Sequence, residues 1–113
     1  QKAEQQLKVT AKFSDGSEFT ADDAKFSLER AKAKSSNFAV YTLGIDRVEK
    51  VDSHTLDIFS EVPNPVLVNQ LTELRIMSRA WAEKHKSLEP KDIKTKDETY
   101  AHRNVLGTGP FQL

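Results

Sequence analysis

The stretch TADDAKFSLERAKAK, residues 20–34, constrains the fold more than any other part of this chain. Thr20 is a candidate N-cap, and Asp23 stands three residues on, the spacing of a capping box with Asp in place of Glu. Asp22 and Asp23 sit where a helix is positive, Lys32 and Lys34 where it is negative. Ala24, Ser27, Leu28 and Ala31 recur at helical spacing and form one face. Phe26 lies nearly opposite, on the Arg30 side. It is either a boundary phenylalanine or the sign of a helix packed on two sides.

The flanking segments alternate like strands. In LKVTAKF, Leu7, Val9, Ala11 and Phe13 point one way and Lys8, Thr10 and Lys12 the other, which predicts one strand over 7–13. The polar residues 1–8 either fray or continue something upstream. Asp15-Gly16 is a turn signal. Residues 35–44 form a connection with a short helical piece. Residues 47–51 and 55–60 read as a hairpin joined by Asp52-Ser53-His54. Asn64 as N-cap and Pro65 at the first helical position open a further helix. Leu67, Leu71 and Leu74 are its buried stripe. Ser78 caps another helix running through Trp81 to about His85. Residues 86–103 read as a long polar loop with a short helix at 97–102. The expected fold is α/β of the α+β kind: a small, mostly antiparallel sheet with two to three packed helices.

The chain has 113 residues, enough for one small domain. Seventeen basic and seventeen acidic side chains cancel. Nucleic-acid binders carry a basic excess, so no nucleic-acid partner is expected. The only basic bias is mild, in 84–96. Cysteine is absent, which removes disulfides and Cys-ligated metals. No run of about 18 apolar residues occurs. His54, His85 and His102 lack the helical spacing that pairs imidazoles on a metal, and surface positions are expected for them. No Gly-x-Ser-x-Gly turn presents a nucleophile. Asp22-Asp23 reads as helix-terminal acids rather than a catalytic pair. The arginines at 30, 47, 75, 79 and 103 do not converge in spacing. No enzyme, metal or cofactor is therefore expected. The closing GTGPF could suggest a phosphate loop. Pro110 removes a donor, however, and no helix follows to hold an anion. A tight turn leading into a strand remains.

Three segments together resemble the family 5 extracellular solute-binding proteins, the peptide and nickel receptors of ABC importers. FSDGSEFTADDAKFSLERAK matches that family's signature at Phe13, Asp15, Gly16, Thr20, Ala21, Asp23, Phe26, Ser27 and Arg30. VEKVDSHTLDI is similar to its next hairpin at Val48, Val51, Asp52, Thr55 and Leu56. GTGPF at 107–111 is the third hallmark. The sequence departs from the pattern at Ala24, where a bulky aliphatic is usual. It also lacks the aromatic pattern that usually precedes the signature.

The resemblance implies that 1–113 is one domain, the small second lobe inserted into the first lobe of a three-lobe receptor. The stop at Leu113 then reads as the edge of an excised piece. The implied partners are the remaining lobes, a peptide or other small solute, and the importer's membrane subunits. The implied location is periplasmic or attached to the cell surface. The implied role is mainly scaffold and cleft rim of a peptide receptor. A nickel or other small-solute receptor and a free-standing α/β interaction module are the alternatives. The resemblance places Phe38, Tyr41 and Arg75 near the ligand cleft. It places Phe26 with Gly107, Gly109 and Phe111 at the seam to the first lobe.

Overall fold

The structure, a computed structural model, describes residues 3–8 and 11–109. Strands β1 (Ala3–Lys8), β2 (Ala11–Lys12) and β3 (Glu18–Phe19) precede helix α1 (Ala21–Lys32). A 3-10 turn over 39–42 leads to the hairpin β4 (Ile45–Asp52) and β5 (Thr55–Ser60). Helices α2 (Leu67–Leu71) and α3 (Arg79–Lys84) follow, with two further 3-10 turns at 93–95 and 100–102. β1, β5 and β4 form an antiparallel sheet in that order, while β2 and β3 pair as a separate ribbon. No helix among the described residues is long and apolar enough to cross a membrane.

The expected α+β class is what forms, with three α-helices among the described residues on a mainly antiparallel frame. β5 is the central strand, so its alternate residues are fully enclosed: Leu56 and Ile58 are buried beneath α1. Ala21, Ala24 and Leu28 of α1 join them with Ile45 and Val48. Ala24 is thus a core residue despite its size. Phe13 and Phe19 extend this core as an edge-to-face pair with centroids 5.8 Å apart. Arg47 lies 3.9 Å over the Phe59 ring, and the two are partners across the β4–β5 ladder. That contact gives the sheet a cation–π cover.

The predicted strand over 7–13 is corrected. β1 lies earlier, at 3–8, and Ala11 is exposed in a separate two-residue strand. Val9 and Thr10 lie outside the described residues. Among the described residues β1 pairs with β5 alone, from Ala3↔Ser60 to Lys8↔Thr55. Its edge position is held by main-chain ladder bonds, which a polar AEQQLK sequence makes as well as an apolar one. The predicted start of α2 is also corrected. Asn64 Oδ1 accepts from Val66 N at 3.2 Å, forming an Asx-type turn, and the helix begins only at Leu67. Leu67 is buried, while Leu71 and Leu74 are half-buried against the core.

The predicted Asp15-Gly16 turn forms. Gly16 has φ +85°, and Asp15 Oδ1 accepts from Ser17 N at 2.9 Å and Ser17 Oγ at 2.6 Å. These bonds hold the Asp15 carboxyl below its usual range. Asp52 is lowered likewise, chiefly by the backbone N–H of His54. A carboxylate depressed in the folded state adds stability above its unfolded value, about 3.9, and loses it as pH falls through the folded value. Asp15→Asn and Asp52→Asn should therefore flatten the acid decline in stability below about pH 4, read from urea unfolding at successive pH values. An unchanged acid slope in both variants would exclude these two turns as the cause.

Candidate functional site

The polar side of α1 is where the fold is fastened. Thr20 N donates to Asp23 Oδ2 at 3.0 Å, completing the expected box. The other oxygen of Asp23, Oδ1, accepts from Arg79 N at 2.8 Å, the first residue of α3. Ser27 Oγ accepts from Met77 N at 2.8 Å and reaches Met77 O at 3.2 Å. Arg30 Nε donates to Ser87 O at 3.2 Å. Asp23, Ser27 and Arg30 stand at i, i+4 and i+7, so they lie in one row along the helix. They clasp the segment 77–87 at three successive heights. Ser78 Oγ caps α3 by accepting from Trp81 N at 3.3 Å, as the sequence predicts.

Beside this clasp opens a cleft of about 530 Å³. Its walls come from Arg30 on α1, Phe38 before the first 3-10 turn, the link at 74–77, Trp81 on α3, and 104–108. Burial pushes the Arg30 guanidinium below its ordinary value, because leaving water disfavours the charged form. Trp81, on the cleft wall, is held by an aromatic stack. His85 and Tyr100 lie parallel at 4.0 Å, and Trp81 packs against both at 4.9 and 5.6 Å. Ala101 N donates to Ser87 Oγ at 3.3 Å, which ties the 100–102 turn to the end of the clasp.

Among the residues singled out from sequence, Phe38, Arg75 and Gly107 meet on this cleft. Tyr41 stands behind Phe38, with ring centroids 6.0 Å apart, and does not line it. Phe26 is half-buried on α1 outside the lining. Gly109 stands just past Thr108, the last lining residue. Phe111 lies outside the described residues. Gly107 O accepts from Ser14 N at 2.7 Å, so the closing segment is pinned to the β2–β3 turn.

Arg30 and Trp81 are among the lining residues that sequence reasoning passed over as site residues. The row Asp23–Ser27–Arg30 was the available signal, since its spacing puts the guanidinium beside whatever the other two hold. His54 is half-buried and partnered, with Nε2 2.9 Å from Glu18 Oε1. Among the described residues no group of His, Asp and Glu could hold a metal ion.

Comparison with known proteins adds a family frame to this geometry. The model of the bacterial extracellular solute-binding proteins, family 5 (middle region), matches residues 3–113. A Brucella ovis protein named for peptide binding in an ABC transporter is 31% identical over 106 residues, which is 91% of this chain and 19% of the relative. The structure of MoaA from A. tumefaciens R10, in complex with mannopinic acid, superposes with a TM-score of 0.79 at 26% identity. That match covers 97% of this chain and 21% of the other. NikZ from Campylobacter jejuni, in complex with Ni(L-His), superposes with a TM-score of 0.78 at 23% identity and shares the fold. Here too the match takes in 96% of this chain but 21% of the neighbour. The chain thus spans about a fifth of the length of the proteins it matches.

Proposed function

Because the chain belongs to the family 5 bacterial extracellular solute-binding proteins, we propose that it is the inserted second lobe of a three-lobe receptor that delivers peptides to an ABC importer. Its role is capture rather than catalysis. The receptor works outside the cytoplasm, in the periplasm or attached to the cell surface. It engages the importer's membrane subunits once the lobes close on the solute.

The observation that carries this reading is the cleft, in which Phe38 and Arg75 share a wall with the 104–108 segment. Arg75 presents a planar donor set suited to a carboxylate, and Phe38 an apolar surface beside it. A peptide terminus offers both chemistries. Peptide as the solute class is supported by the name of the Brucella relative. A second reading, a small organic acid, is favoured by the MoaA likeness, since mannopinic acid presents the same carboxylate. Gly107, Gly109 and Phe111, with Phe26, form the seam to the first lobe in this proposal, and Tyr41 backs Phe38 at the rim.

The test is calorimetry on the whole receptor with short peptides and with mannopinic acid. Arg75→Ala should weaken binding of the accepted solute about tenfold or more, the worth of one hydrogen bond to a charged group. The unfolding midpoint should not move. Equal affinity in Arg75→Ala would remove Arg75 from the site. Binding of neither solute class would overturn the proposed ligand.

A further inference from the structure

Charged residues make up 30% of this chain, yet residues 35–45 and 62–72 contain none. The fold brings these two distant stretches together. The 3-10 turn at 39–42 packs against α2, and a side chain at Gly44 would meet Asn64 Nδ2 at 3.4 Å. Leu67 turns inward and is buried, but the residues around it turn outward. Val40, Leu43, Val62, Val66 and Val68 are between 52% and 65% exposed. Scattered single apolar residues on a surface are ordinary, whereas two neighbouring charge-free stretches that carry five exposed aliphatic side chains are not. The third uncharged run, 104–113, is accounted for in part by the cleft, which 104–108 line.

We propose that the face formed by Val40, Leu43, Val62, Val66 and Val68 is a permanent docking surface covered by the remaining polypeptide of the same receptor. The inference rests on the reading of this chain as one lobe of a longer protein. Two observations select that occupant. The first is chain length: relatives carry this fold within about five times as much polypeptide, since it covers 19% of one and 21% of another. A large protein surface is therefore available on the same chain. The second is chemistry. Faces that open and close with a partner are about as polar as ordinary surface, while permanent ones are depleted of charge and resemble a core cut in half. The complete lack of charge across both stretches fits the permanent kind. It disfavours a membrane subunit that must release the receptor in each transport cycle. The covering surface should itself be uncharged and rich in aliphatic or aromatic side chains.

The experiment uses the whole receptor, made cysteine-free outside the probe, with Val40→Cys, Val66→Cys and a control, Glu49→Cys. Glu49 has 56% of its side chain exposed on β4, away from the Phe26 face of α1. Maleimide labelling under native conditions should be at least about tenfold slower at positions 40 and 66 than at 49, as packing at an interface core matches a protein interior. The slowing should hold across a wide dilution series. Labelling at 40 and 66 as fast as at 49 would overturn the proposal. Protection that disappears on dilution would assign the face to a second copy and would also overturn it. Solute binding measured on the same samples separates the two readings. A receptor that keeps both probes protected yet binds no solute retains the docking face and loses the proposed ligand.

Discussion

Asp23→Ala is expected to lower the unfolding free energy by about 3 kcal/mol, because hydrogen bonds to a charged acceptor are worth roughly 1.5–3 kcal/mol each and two main-chain donors lose theirs. The carboxylate is buried. It serves Thr20 N at the start of α1 and Arg79 N at the start of α3. Alanine leaves both N–H groups without an acceptor at helix ends that carry partial positive charge. Asp23→Asn keeps one oxygen and should retain part of the stability. Urea unfolding followed through Trp81, the one tryptophan in the chain, reads both variants. A loss below about 1 kcal/mol for Asp23→Ala would mean that water takes over the role, an outcome at odds with a buried carboxylate.

Leu56→Ala should cost about 3–4 kcal/mol, within the range for emptying a fully enclosed leucine site. Leu56 is wholly inaccessible on the central strand, between two ladders and beneath α1. Neither neighbouring strand can close over the gap without breaking register, so little relaxation is available. Val51→Ala, on the exposed end of β4, should stay within about 0.5 kcal/mol. Equal losses at the two positions would contradict the assignment of β5 as the central strand.

The elements that sequence reasoning found were those marked by side chains with a defined job. Thr20 and Asp23 bracket α1, Ser78 marks the start of α3, and the Asp52-Ser53-His54 turn separates two alternating runs. β1 was illegible because an edge strand is held by its main chain, and its Glu and Gln residues leave no apolar period to detect. The start of α2 was misplaced because an Asn-Pro pair serves an Asx turn as readily as a helix cap. The resemblance marked Phe38 and Arg75 for a ligand cleft and Gly107 for the inter-lobe seam, and all three line the same cleft. Trp81 was not marked, since its place depends on the stack with His85 and Tyr100, which joins residues from separate segments. The exposed aliphatic face was legible only as two charge-free stretches, 35–45 and 62–72, because their being neighbours is decided by the tertiary arrangement.

The clasp along α1 grips main-chain atoms: Met77 N and O, Arg79 N and Ser87 O. Any amino acid can supply those atoms, except that proline at 77 or 79 would lack the N–H. The row Asp23–Ser27–Arg30 is therefore indifferent to the side chains it holds in place. Arg75 and Met77 can change identity, and with them the character of the cleft wall, while Ser78 keeps its capping side chain and Leu74 and Ile76 keep their packing on the core. The helix thus fixes the course of the segment through its main chain and leaves the side chains at 75 and 77 to decide what the cleft wall presents.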